Sequence, residues 1–495
     1  RAEAMDPITE RLVDDAFRES LNAWDVSNIA WGLAQLQVRD EAVLEAVAQA
    51  AARLAPGLTT QGIGNTAWAF ATLGTEHLEL MEALASQAMR SDVLPRFKPQ
   101  ELSNVAWAFA TLGTQNEALM AALAEHILEA NMLHRFKAQE LSSTAWAFAS
   151  MGISDPALMR GLSTAAIEPD TGRRFSAQSI ANLAWAFAML GIPDVTLLET
   201  LSARMMRYDT IHSAKPQEVS SLAWAFAHLG VRDAKLLNAL AERMISRNVI
   251  KQATAPTMAN MAWAFATLRV PHEALMRVLA RRVMLPDVMA DLESQHLVNI
   301  AWAYATLELR HVPLMMALAD QAMERHMLPT FTPQGLSSLC WAFAKLNIHH
   351  QLLMSTLARE VMQKRVLTEL TAQGVANLFW AYAKLRFRSQ KLLGCLMGRI
   401  MQPGMLDTLT PQGTANVIWA FAKLEVYNAE VMATLSEHVV RTAWLFGAQG
   451  VANIAWAFAS LATRDDALMS ALASRSRDVD VLEAFTAQGL AVTSW

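Results

Sequence analysis

Cysteine is nearly absent from this 495-residue chain, with Cys340 and Cys395 the only two. So few thiols argue against a disulfide framework or a Cys-based metal site, and nothing implies an oxidising compartment. Cys340 stands where a repeated phrase has Ala, which reads as a small buried thiol. No apolar run reaches the roughly 18 residues that argue for a membrane span. Catalytic signatures are missing as well. The 12 histidines are scattered, and neither HExxH, Cys-x-x-Cys nor a glycine-rich phosphate loop occurs. His272-Glu273 begins the zinc pattern, but Met276 stands where the second His belongs. These absences point away from an enzyme, a metal or other cofactor, a small-molecule substrate and a membrane partner.

Repetition is what the chain has in abundance. Trp68, Trp107, Trp146, Trp185, Trp224, Trp263, Trp302, Trp341, Trp380 and Trp419 follow one another at 39-residue intervals inside a near-constant Ala-Trp-Ala-Phe-Ala phrase, and Trp31 and Trp456 lie 37 residues outside that run. Periods of this length belong to solenoids, in which each unit buries its apolar face against its neighbours. The expected fold is all-α, a right-handed α-solenoid of about twelve helical-hairpin repeats of 39 residues. Residues 1–22 read as an N-terminal flank and 23–495 as a continuous array. The chain opens at Arg1 and stops at Trp495 inside a repeat, so it reads as truncated, with room for a targeting peptide before it and a further domain after it.

One unit divides into two helices. Helix A runs from Pro99 to Gly113, with Pro in the first turn and Gly just past the end, and helix B from about Glu117 to Met132. On a helical wheel Leu102, Val105, Ala106, Phe109, Ala110 and Leu112 form an apolar side of helix A, and Gln100, Ser103, Asn104, Ala108 and Thr111 a small polar ridge. Helix A is the more apolar of the two and is expected inside, with its ridge on the concave face.

Three columns mark that ridge. Three residues before each Trp stands an amide or hydroxyl: Asn65, Asn104, Ser143, Asn182, Ser221, Asn260, Asn299, Ser338, Asn377, Asn416 and Asn453. Such groups both donate and accept, which suits contact with an extended polymer at one step per repeat. Four residues earlier Gln is nearly constant, which suits a structural cap. Four residues after each Trp the side chain varies, as at Thr111, Ser150, Met189 and His228, and then becomes Lys345, Lys384 and Lys423 in succession. Residues 331–424 hold ten Lys and Arg against three Asp and Glu, in a chain whose net charge is −5. Either the lysines line one groove and meet phosphates, or they pair with acids of the adjacent repeat. The Trp column itself reads as packing between repeats.

Two units deviate. Pro169, Asp170 and Gly172 interrupt helix B of one, and the linker between Leu435 and Gly447 is two residues short. From Arg269 onward the Gly that ends helix A is replaced by Arg269, Glu308, Asn347, Arg386 and Glu425, while Gly335, Gly374, Gly413 and Gly450 appear at its start. Two sections of differing curvature are expected.

The phrases PQELSNVAWAFATLG and PQGLSSLCWAFAKLN resemble the octotricopeptide repeat family of helical-hairpin proteins, and related arrays in FAST kinase-like and RAP-domain proteins and in an RNA-editing substrate-binding complex of mitochondria. The resemblance covers the chain from about Val26 to Trp495. It implies organellar binding of single-stranded RNA, over roughly a dozen nucleotides at one per repeat, in processing, stabilising, editing or translating transcripts. The mitochondrial matrix is expected ahead of the plastid stroma, with proteins of an RNA-processing complex as further partners. Carried over, the Asn/Ser column, Thr111, Ser150, His228 and the three lysines are the candidate RNA-binding residues. The rival reading is an armadillo-like scaffold, whose Asn ladder holds an extended peptide.

Overall fold

The computed structural model describes residues 6–129, 132–169 and 175–494. Two compact units make up the chain, Arg1–Val249 and Ile250–Trp495. In the first, the A helices Ala23–Leu36, Thr60–Leu73, Pro99–Leu112, Ala138–Ser150, Ala177–Met189 and Pro216–His228 pack side by side in chain order. In the second, Ala255–Thr267, Ser294–Thr306, Pro333–Lys345, Ala372–Lys384, Pro411–Lys423, Ala448–Ser460 and Ala487–Ser494 do the same. Each complete A helix also packs on the B helix that follows it, for example Ala372–Lys384 on Gln390–Ile400. No helix among the described residues is long and apolar enough to cross a membrane.

Local chemistry sets the helix ends. Thr332, Thr371 and Thr410 each accept the N–H of a Gly three residues on, at 3.0–3.1 Å. In the first unit the Glu101, Glu140 and Glu218 carboxylates instead fold back onto the N–H of Lys98, Lys137 and Lys215. The histidines are less scattered than they read: His77, His272, His311 and His350 each cap a B helix, Nδ1 accepting a backbone N–H at 3.1 Å.

A helices end on a left-handed residue. This is Gly74, Gly113, Gly152, Gly191 and Gly230 at φ 65–71°, then Arg269, Glu308, Asn347, Arg386 and Glu425 at φ 51–56°. Holding a side chain there costs about 1 kcal/mol or more per site relative to Gly.

The structure differs from the sequence reading in two respects, the short turns between repeats and the burial of helix A, and agrees with it on the shortened linker. In the third repeat helix B is described over Glu117–Glu129, and a short helical turn that the sequence reading did not foresee, Leu133–Arg135, precedes the next A helix. Corresponding turns occur at Leu94–Arg96, Pro286–Ala290, Lys364–Glu369 and Val479–Leu482, several of them pinned by a buried Val such as Val288, Val366 or Val481. Helix A is buried on nearly every side, because neighbouring A helices flank it and its own B helix covers a third face. Ser103 and Ala108, placed on the ridge by the wheel, are therefore buried, and Ser103 Oγ bonds the Gln100 carbonyl at 3.0 Å. In the shortened unit the B helix Ala429–Thr442 runs directly into the turn Ala443–Leu445. The break expected at Pro169–Gly172 lies largely outside the described residues, after a B helix that ends at Ile167.

Two residues beyond each Trp, Phe70, Phe109, Phe148, Phe187, Phe226, Phe265, Phe343 and Phe421 are at most 1% exposed and form the hydrophobic spine. Tyr304 and Tyr382 take the same place, and a buried hydroxyl needs a partner. Tyr382 Oη donates to the Met354 carbonyl at 2.8 Å, and Tyr304 Oη donates to that of Met276. Cys340 is fully buried as expected, and burial pushes its thiol up to about 12.

A polar side chain nineteen residues after the Trp ties several repeats to the one before. Gln87 donates to Pro56 O at 3.1 Å, Arg243 to Ala214 O at 2.9 Å, Arg475 to Phe446 O at 2.9 Å, and Arg399 to Leu370 O through Nε and Nη2 at 3.1 and 2.8 Å. Removing Arg399 leaves a buried carbonyl without its donors. Arg399→Ala is expected to lower stability by about 1.5–3 kcal/mol, read from the urea midpoint, with Arg399→Lys in between. An unchanged Arg399→Ala midpoint would mean that the bond adds nothing to repeat coupling.

Candidate nucleic-acid interface

With three sides of helix A occupied, one strip remains open. Gln, Asn or Ser, Trp and the variable residue fall at i, i+4, i+7 and i+11, and so share one face. In Pro411–Lys423 these are Gln412, Asn416, Trp419 and Lys423. The Gln is exposed, and the Asn and Trp are half-buried.

The expected site residues all lie on this strip. Asn65, Asn104, Ser143, Asn182 and Ser221 in the first unit are half-buried, as are Asn260, Asn299, Ser338, Asn377, Asn416 and Asn453 in the second. Thr111, Ser150 and His228 are exposed in the first unit; in the second, Lys345 and Lys384 are exposed and Lys423 half-buried.

In the second unit the strips converge. A groove of about 530 Å³ is bordered by Trp341, Lys345, Trp380, Lys384, Gln412, Asn416, Trp419, Gln449, Asn453 and Gln488. Trp341 and Gln488 lie four repeats apart, so a shared cavity requires the A-helix surface to curve inward there. An adjoining recess of about 250 Å³ brings in Trp302, Ser338, Gln373 and Asn377. Lys423 does not border the groove; it faces a neighbouring cavity of about 480 Å³ with Arg386, Arg388, Glu425 and Trp456.

The lysines divide between the two sequence readings. Lys345 Nζ lies 2.7 Å from Glu308 Oε1 of the preceding repeat, and this contact holds the Glu308 carboxyl below its usual range. Lys384 and Lys423 have no acidic partner within 4.0 Å among the described residues. Residues 250–495 carry 21 Lys and Arg against 18 Asp and Glu, whereas residues 1–249 carry 20 against 28. Positive charge thus sits with the groove.

Sequence reasoning undervalued two columns. In two repeats the Gln bonds the Asn of its own helix: Gln373 Nε2 donates to Asn377 Oδ1 at 3.0 Å and Gln295 Nε2 to Asn299 Oδ1 at 2.9 Å, so these amides order one another on the open face. Thr410 Oγ1 adds a bond to Gln373 Oε1 at 3.2 Å across the repeat boundary. The Trp rings do pack between repeats, as Trp146 against Trp185, Trp341 against Trp380 and Trp419 against Trp456, with centroids 6.2–6.5 Å apart. They also reach the groove. The signal for both was the i, i+4, i+7 spacing. Among the described residues no three His, Cys, Asp or Glu side chains stand together as a metal site.

The family model described as RNA-editing substrate-binding complex 6 protein matches residues 93–351 and 331–494. No curated protein matches the chain significantly. Similar structures include a homology model of the full-length AP-3 complex in an intermediate open conformation, at 11% identity over 95% of this chain and 80% of that one, TM-score 0.26. A crystal structure of a pentatricopeptide repeat protein from maize matches at 12% identity over 95% and 94%, TM-score 0.21. A circular tandem repeat protein matches at 15% identity over 98% and 97%, TM-score 0.18. These three are too distant to bear on function. The tandem helical hairpins and a family match over most of the chain establish that it belongs to the family of the RNA-editing substrate-binding complex 6 protein.

Proposed function

We propose that the second unit binds single-stranded RNA in its groove, and that the chain serves in recognising organellar transcripts for editing or related processing. The observation that carries this is the groove itself: aromatic faces, side-chain amides and lysines from consecutive A helices border one cavity. Those are the groups that stack on bases, read their edges and meet phosphates. The Asn/Ser column would contact bases, and Lys384 and Lys423, with Lys345 once released from Glu308, would contact the backbone. At one nucleotide per repeat, the seven A helices described in the second unit would take about seven nucleotides. The family's description supports an RNA substrate and partner proteins in a complex, and the mitochondrial matrix is the setting proposed for them. The acidic balance of the first unit favours a protein partner there.

The test is selection from a random single-stranded RNA pool at 50 and 200 mM salt. An enriched motif, retained less at the higher salt, is expected. Absence of retention at 50 mM salt sinks the reading and turns the search to extended peptides.

A further inference from the structure

The Trp column contains a second level of order. Trp341 and Trp380 stand 6.4 Å apart at 34°, and Trp419 and Trp456 6.5 Å apart at 36°. Among the described residues no ring contact joins Trp380 to Trp419. Two separate pairs thus stand in this unit. A flat ring held between two others needs roughly 7 Å, twice the carbon–carbon contact distance. Each pair is in tilted contact a little short of that separation, so a base enters only as the two rings part slightly and turn toward parallel. Both rings of the Trp341–Trp380 pair border the 530 Å³ groove, together with Lys345 and Lys384. The first unit shows what such a face accepts: His228 lies on Trp224 with centroids 4.7 Å apart and planes 22° from parallel. A flat heteroaromatic ring stacks there on a Trp of this column.

We infer that the Trp341–Trp380 pair is a clamp for a single nucleobase. The base enters between the rings from the groove and stacks on both indoles. Lys384, one turn beyond Trp380 on its helix, takes the adjoining phosphate, and Asn377, one turn before it, faces the base edge. This rests on the RNA reading above.

The experiment compares two twelve-nucleotide probes, a mixed-sequence RNA and an abasic oligonucleotide with the same sugar-phosphate backbone. The native chain is expected to hold the RNA at least tenfold more tightly. Trp380→Leu, which keeps apolar bulk in the inter-repeat space, should lose roughly five- to 150-fold for the RNA and nothing for the abasic probe. Trp380→Phe should lose less. Equal binding of both probes by the native chain overturns the clamp while leaving backbone binding in place, and this arm needs no variant. Unchanged RNA affinity in a Trp380→Leu protein with native helicity and melting overturns it too. If the native chain binds neither probe, the RNA reading falls and the clamp with it.

Discussion

Changing Lys345, Lys384 and Lys423 together to Ala lowers affinity for single-stranded RNA by on the order of a hundredfold at 0.1 M salt. Each phosphate contact releases about 0.7 of a counterion from a single strand, so three contacts contribute roughly two decades at that concentration. The slope of log affinity against log salt should become shallower by about 2. Single substitutions separate the three. Lys345 must leave Glu308, 2.7 Å away, before it meets a phosphate, so Lys345→Ala has the smallest effect and Glu308→Gln raises affinity. Lys384→Ala and Lys423→Ala start from side chains without an acidic partner among the described residues and cost more. Titration by fluorescence anisotropy at four salt concentrations measures both quantities. A triple variant with the native slope would remove the lysines from the backbone path.

Phe343→Ala is expected to destabilise the second unit by about 3–5 kcal/mol. The ring is fully buried, one member of a spine to which each repeat adds one aromatic. Neighbours on both sides lose contact when it is cut back, and a solenoid has no distant element to compensate. Unfolding should therefore start in the repeats around 333–361 before the rest of the second unit. Hydrogen exchange by repeat distinguishes this from global loss: uniform deprotection across residues 250–495 would show a more cooperative unit than nearest-neighbour packing allows. Phe343→Leu, which keeps most of the volume, should lose less.

Much of this architecture is legible because packing repeats. Trp, Phe and the flanking Ala recur where each repeat meets the next, and Pro99 and Gly113 bound their helix as read. The short third turn escaped because three to six residues carry no periodicity. Ser103 and Ala108 were misplaced because a wheel assumes one buried side, whereas flanking A helices bury the others. The candidate residues were legible as a strip, since i, i+4 and i+7 share a face in any helix. Convergence of Trp341 and Gln488 on one cavity was not, because it depends on how several helices curve together. The Trp column read as packing alone; a ring of that size can bury one side and offer the other.

The residue that leaves helix A has a broader consequence. Where five repeats of the first unit use Gly, the second places Glu308, Arg386 and Glu425 in the left-handed conformation. Glu308 restrains a lysine of the next repeat, and Arg386 and Glu425 line the cavity that holds Lys423. The backbone is the same whichever residue stands there, and the side chain projects at the rim, away from the aromatic spine. Each repeat thus has an adjustable dial: exchanging one residue retunes attraction or repulsion toward a polyanion, for a fixed conformational cost, without recutting the interior.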